Sequence, residues 1–319
     1  MQIPLIFFLI AMFSLILLMC GVIIYLSARL LTSVALDRTM PRIIKKKGAI
    51  SGIRGNEDFS AALKEKGRGL EERATETVEI SGHGGIRLTG HLLVPQEPRR
   101  VIIALHGWRG SWSRDFGIVS DFWYSSSSTV IYAEQRGQKG SGGDCMTFGL
   151  LERLDVMEWV RWTIKRFSDL PVYLCGVSMG ASSVLMSADL GLPGEVHGII
   201  ADSGFTSPDE IWKYVLTKNL RLPYSLYKRA ANRLCRKKTG FAANACSTLN
   251  SLENSNVPVL FIHGTDDSFV PVEMTYRNYE ACRGPKRLFL VQGANHCMSY
   301  YVDKSGYETE MAKFWEDYD

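Results

Sequence analysis

Val172-Tyr173-Leu174-Cys175-Gly176-Val177-Ser178-Met179-Gly180 sets a Gly-x-Ser-x-Gly pentapeptide directly behind a β-branched and aromatic run, with small residues at helical spacing following over 181–190. Such a succession reads as a buried strand, a tight turn and a helix. A turn that sharp lifts Ser178 Oγ clear of the sheet edge. Gly176 and Gly180 are required because side chains there would collide with the neighbouring strand and helix. In a chain with 29 glycines the pentapeptide alone is a weak pattern, so its weight comes from this context and from its partners.

At 319 residues and 46% hydrophobic, the chain has the material for one large α/β domain with an inserted or appended piece. Short apolar runs recur at 75–80, 86–94, 101–105, 129–133, 172–175, 198–201, 259–262 and 288–291. The first two are joined through Ser81-Gly82-His83-Gly84-Gly85 and read as a hairpin. Among the rest lie segments of helical spacing at 150–167, 273–282 and 307–318. Strands and helices in this alternation call for a mostly parallel sheet covered on both faces. Residues 205–256 are too long for a simple crossover and carry helical stretches at 211–220 and 224–236, so they read as a cap over the C-terminal edge of the sheet. Its Trp212, Tyr214, Tyr224 and Tyr227 are either the cap's own core or the lining of an acyl pocket.

From Ile3 to Leu26 no residue is charged, which supplies the roughly 20 apolar residues needed to cross a bilayer. A cleaved signal peptide competes with this reading. Against it, no Lys or Arg precedes the run, and the run exceeds the about 7–15 residues of a signal core. Arg29, Arg38, Arg42, Lys45, Lys46 and Lys47 all follow it, so the positive-inside bias puts the C-terminal bulk in the cytoplasm of a single-pass membrane protein. The expected organisation is a transmembrane helix at 1–30, a basic juxtamembrane linker at 31–74 with at most a short helix around 59–66, and a domain at 75–319 with its cap at about 205–256. Seven cysteines without paired or metal-like spacing suit a reducing compartment and give no metal site. A net charge of +4, not gathered into a basic stripe with aromatics, speaks against nucleic acid as a partner. The membrane, reached through the helix, is the expected partner.

A serine hydroxyl is a poor nucleophile, so Ser178 needs a neutral imidazole to take its proton and a carboxylate to orient that imidazole. His296 follows the last apolar run, where a loop from the strand edge brings its ring over Ser178. His106 and His263 each end a strand as His-Gly and read as supports of their loops. His83, His91 and His197 read as surface or packing residues. For the acid, Phe261-Ile262-His263-Gly264-Thr265-Asp266-Asp267 ends in two carboxylates just past a strand. Asp267 is the choice, Asp266 its rival and Asp202 a third, while Asp303 belongs to the start of the terminal helix. The oxyanion of a tetrahedral intermediate needs two preorganised donors. Met179 N–H is one, and Trp108 N–H, in the loop after 101–105, is the other.

With Ser178, Asp267 and His296 in the order nucleophile, acid, base, the chain resembles the α/β-hydrolase superfamily over about residues 75–319. Besides the elbow, the resemblance is carried by His106-Gly107-Trp108, by His263-Gly264-Thr265-Asp266-Asp267, and by Glu134-Gln135-Arg136-Gly137-Gln138-Lys139-Gly140-Ser141-Gly142-Gly143. It implies an eight-stranded, mostly parallel sheet flanked by helices, and it puts the acid four positions after the His of His-Gly, at Asp267. Two departures stand out: Glu134 replaces the usual Asp, and Lys139 intrudes where the family commonly has His-Gly. The similarity extends to serine esterases, dienelactone-hydrolase-like proteins and prolyl-oligopeptidase-type peptidases. It implies hydrolysis of a carboxylic ester, lipid-like esters included, through an acyl-enzyme and without metal or organic cofactor. A peptidase with the same triad is the alternative, and a non-catalytic membrane-bound binding protein is the reading from outside the enzymes.

Overall fold

Residues 2–41 and 57–319 are described in a computed structural model of the chain. Helix α1 (Gln2–Leu36) is followed by α2 (Glu57–Arg73) and the antiparallel pair β1 (Glu76–Ser81) and β2 (Arg87–Leu93). Then come β3 (Arg100–Leu105), the short α3 (Trp112–Phe116) and α4 (Ser120–Ser125), β4 (Ser128–Ala133), α5 (Glu152–Arg166), β5 (Val172–Val177), α6 (Met179–Met186) and β6 (Val196–Asp202). Next are α7 (Pro208–Tyr214), a π turn (Val215–Asn219), α8 (Tyr224–Thr239) and α9 (Thr248–Glu253). The chain closes with β7 (Val259–Gly264), α10 (Val272–Ala281), β8 (Lys286–Val291), α11 (Ser299–Val302) and α12 (Lys304–Tyr318).

The eight strands form one sheet in the order β1-β2-β4-β3-β5-β6-β7-β8. Both contacts of β2 are antiparallel and all the others are parallel. Every residue of β3, β4, β5 and β7 is buried, as a sheet covered on both faces requires. Alternation divides the core in two: Ile103 and Leu174 pack with Trp159 and Val184 on one face, while Ile102 and Tyr173 pack with Trp123 and Phe314 on the other. The expected fold class is the observed one.

The N-terminal third departs from the expected organisation. α1 does not stop near residue 30. Its apolar surface is exposed from Ile6 to Leu26, but Ala28, Thr32, Val34 and Leu36 are buried against the domain. Ser27 Oγ lies 3.5 Å from Tyr227 Oη on α8, Met146 N–H donates to Leu36 O at 2.7 Å, and Lys238 pairs with Asp37. The last turns of α1 are thus part of the folded body. Nor is 57–73 a linker: α2 buries Phe59, Leu63, Gly67 and Leu70 on a single face. The rest of that helix is charged, which dilutes the apolar period and hides it in the sequence. Arg42, Lys45, Lys46 and Lys47 lie outside the described residues.

The insertion between β6 and β7 is helical. Trp212 and Tyr224 are buried in a cluster with Leu36, Met146, Phe148 and Phe205, so these aromatics form the cap's own core.

Candidate active site

β5 delivers Ser178 into the turn before α6 with φ 54° and ψ −117°, a sparsely populated conformation of the kind that tertiary contacts must hold. The turn is possible only because its flanks lack side chains. A Cβ on Gly176 would sit 2.3 Å from the Gly180 carbonyl carbon, and one on Gly180 would sit 2.0 Å from Leu105 O. Ser178 N–H donates to Asp202 O at 2.8 Å, tying the elbow to the end of β6.

Three side chains from three elements meet here. The loop after β8 carries His296, whose Nε2 is 2.9 Å from Ser178 Oγ, and whose Nδ1 is 2.6 Å from Asp267 Oδ2. Asp267 follows β7 and is buried, and its Oδ1 accepts the Phe269 and Val270 N–H groups at 2.9 and 2.8 Å. With a carboxylate on Nδ1, that nitrogen carries the proton and Nε2 is left to accept from the serine hydroxyl. Burial disfavours a charged imidazole, but the Asp267 carboxylate overrides it, so His296 titrates well above the ordinary histidine value. Burial likewise opposes the charge on Asp267. Its neighbours His296 and His263 reverse that and hold its carboxyl well below the usual range.

His263 does more than support its loop. Its Nε2 faces two acceptors, Asp267 Oδ2 at 3.1 Å and Val270 O at 3.0 Å, so it carries a proton shared between them. Nδ1 accepts from Thr275 Oγ1 at 2.6 Å on α10. The ring therefore fixes Asp267 from the side opposite His296, a role that only the His-Gly-x-x-Asp spacing hinted at. Asp266 is exposed and accepts from its neighbour Thr265. Asp202 is buried and accepts from Ser203 and Ser299 hydroxyls at 2.8 and 3.2 Å. Burial pushes its carboxyl up to about 6. Asp303 caps α12 through the Gly306 N–H.

Opposite Ser178 runs the loop after β3. A Cβ on Gly107 would lie 3.4 Å from Ser178 Cβ. Met179 is the first residue of α6, where a backbone N–H has no intrahelical acceptor. Among the described residues no hydrogen bond is made by the Trp108 N–H. The Gly107 N–H is held by Asp115 Oδ2 at 2.9 Å. His106 is fully buried, which lowers its pKa and keeps it neutral; Nδ1–H donates to Gly107 O and Nε2 accepts the Gln135 N–H.

The far side of this loop is fastened to α1. Trp108 Nε1–H donates to Ala35 O at 2.8 Å, and Arg109 Nη2 donates to Val34 O and Asp37 O at 2.8 and 2.7 Å. The two departures in the 134–143 loop also find their places. Glu134 accepts from Gly140 N–H and faces His91, and Lys139 takes the left-handed φ of 44° that a glycine would adopt freely.

A cleft of about 210 Å³ opens on the serine. Gly107, Trp108, Ser178, Asp202 and His296 line its polar side, while Phe59 and Leu63 of α2, Phe116, Val119, Phe269 and Tyr300 line the rest. No residue of the cap contributes to it. Part of its apolar wall comes instead from α2, within the stretch expected to be a linker. Among the described residues no group of three or more His, Cys, Asp or Glu side chains is arranged to hold a metal ion.

Order of strands, elbow and crossovers are those of the α/β-hydrolase fold, and solved structures of that fold superpose on the chain. The Pyrococcus furiosus esterase Pf2001 matches 76% of this chain and 91% of its own at TM-score 0.62 and 23% identity. Est1E from Butyrivibrio proteoclasticus matches 76% of this chain and all of its own (100%) at TM-score 0.58 and 17% identity. In sequence, the chain is 29% identical over 235 residues to the uncharacterized protein YqkD of Bacillus subtilis, covering 73% of this chain and 76% of that one. It is 26% identical over 258 residues to the uncharacterized protein YfhR of Escherichia coli K12, covering 77% and 82%. No family model matches the chain.

Proposed function

We propose that this chain is a serine hydrolase that cleaves a carboxylic ester through an acyl-enzyme. The observation that carries the reading is the unbroken line from Ser178 Oγ through His296 to Asp267, with contacts of 2.9 and 2.6 Å, on a strained elbow that faces a cleft. Ser178 attacks the ester carbonyl as His296 Nε2 takes its proton, and Asp267 holds the resulting imidazolium in line. The N–H groups of Met179 and Trp108 receive the oxyanion. His296 then returns the proton to the leaving alcohol, and water repeats the sequence to free the acid. Esterases among the structural neighbours favour an ester over an amide. At about 210 Å³ the cleft is smaller than the roughly 300–1,000 Å³ of most ligand pockets, which favours a compact acyl group. The same reading seats the apolar part of α1 in a bilayer, with the domain on the cytoplasmic side.

A fluorophosphonate probe should label Ser178, and Ser178→Ala should abolish both labelling and p-nitrophenyl ester hydrolysis, a loss of about 10⁶ in kcat. Undiminished turnover by Ser178→Ala would refute the proposal.

A further inference from the structure

The cap carries an unusual run of charge. Between Glu210 and Glu253 there are nine Lys and Arg residues and no Asp or Glu. Lys213, Lys228 and Lys238 find partners in Glu210, Asp209 and Asp37. Lys218, Arg221, Arg229 and Arg233 are exposed and make no ion pair among the described residues. Beside them Leu220 and Leu226 stand 45% and 55% exposed, among the described residues the two leucines of the domain so open to solvent.

Two contacts fix where this corner lies. Ser27 meets Tyr227 at one end of the α1–α8 pair, and Asp37 meets Lys238 at the other, so the two helices run parallel and side by side. The N-terminal end of α8 and the turn 220–223 leading into it are therefore level with Ser27. That is where α1 passes from its exposed apolar stretch into the domain. Cationic side chains interleaved with leucines, at the height where a spanning helix leaves the hydrocarbon, match the boundary between headgroups and acyl chains in both charge and polarity.

We propose that this corner of the cap, centred on Lys218, Leu220, Arg221, Leu226 and Arg229, rests on the anionic headgroups of the membrane that α1 spans. The surface is continuous with α1 and makes a second attachment independent of it. It rests on the reading of α1 as a membrane span.

The test uses the full chain in nanodiscs of phosphatidylcholine with or without phosphatidylglycerol, followed by amide hydrogen exchange over 214–229. Anionic lipid should slow exchange there roughly tenfold, the effect expected of one or two basic residues drawn to a charged lipid surface. Lys218→Glu/Arg221→Glu should erase that difference, and Leu220→Ser/Leu226→Ser should reduce protection in both lipids. Both variants should keep wild-type ester turnover and melting temperature. Equal exchange in the two lipids, or a difference that survives charge reversal, would overturn the proposal while α1 still resists extraction by alkaline carbonate. Extraction of the wild-type protein by carbonate would overturn the span itself, and the proposal with it.

Discussion

Asp267→Asn changes one atom and tests the whole relay. All four hydrogen bonds to this carboxylate come from donors: His296 Nδ1 and His263 Nε2 reach Oδ2 at 2.6 and 3.1 Å, and the Phe269 and Val270 N–H groups reach Oδ1 at 2.9 and 2.8 Å. An amide NH₂ therefore meets a donor whichever way it turns. Placed at the Oδ1 position, it strands two backbone N–H groups that cannot release their protons, at about 1–3 kcal/mol for the buried Val270 N–H and less for the partly buried Phe269 N–H. Placed at the Oδ2 position, it requires two imidazoles to change tautomer and leaves one carbonyl, Val270 O, without the His263 proton. The second arrangement is the cheaper, and it leaves His296 protonated on Nε2, donating to Ser178 instead of accepting from it. Without its base the serine should lose about 10⁴ in kcat, near 5.5 kcal/mol of transition-state stabilisation. Initial rates with p-nitrophenyl acetate, measured beside circular dichroism, supply the readout. Asp266→Asn, at the exposed neighbouring position, should stay within about twofold. An Asp267→Asn enzyme that kept about a tenth of wild-type kcat would refute the tautomer argument.

Three further outcomes follow from the same contacts. His296 must be neutral to act as base, and Asp267 raises its pKa, so kcat/KM should fall as pH falls along a limb whose midpoint lies above about 6.5; a midpoint below that value contradicts the coupling. Gly180→Ala places a Cβ 2.0 Å from Leu105 O, with backbone on both sides, and should cost about 1–3 kcal/mol or more, lowering Tm by at least about 2 °C and removing probe labelling. An unchanged melting curve would show that the elbow relaxes freely. Arg109→Met releases the loop after β3 from Val34 O and Asp37 O and should lower kcat about 10- to 100-fold with KM little changed; steady-state kinetics showing wild-type kcat would mean that the Arg109 contacts do not brace the loop.

The sheet was legible because its strands are buried on both faces and stand out as continuous β-branched runs. The elbow was legible because no other residue fits where Gly176 and Gly180 sit. Asp267 could be separated from Asp266 only by the spacing of the His-Gly motif, since two adjacent carboxylates look alike in sequence, and burial of one and exposure of the other is a tertiary fact. The edges of the site were not legible. α2 buries four positions among charged residues, and its Phe59 and Leu63 reach the cleft only because the chain returns there in space. The cap's aromatics fit either a core or a pocket by composition, and only their packing with Leu36 of α1 and with Phe148 and Phe205 decides for the core. Within α1 the apolar run ends at Leu26 and Ser27, Arg29, Thr32 and Ser33 follow, but nothing in their pattern shows that Ala28, Thr32, Val34 and Leu36 are buried against the domain.

The unbroken passage of α1 from its exposed apolar stretch into the folded body makes it a drive shaft more than a tether. If α1 spans the bilayer as proposed, each residue added or removed between Leu26 and Ser27 raises or lowers the body by about 1.5 Å and swings it by about 100°. On that reading, height and heading of Ser178 relative to the lipid are written into helical phase, so the number of residues in that stretch matters as much as their greasiness.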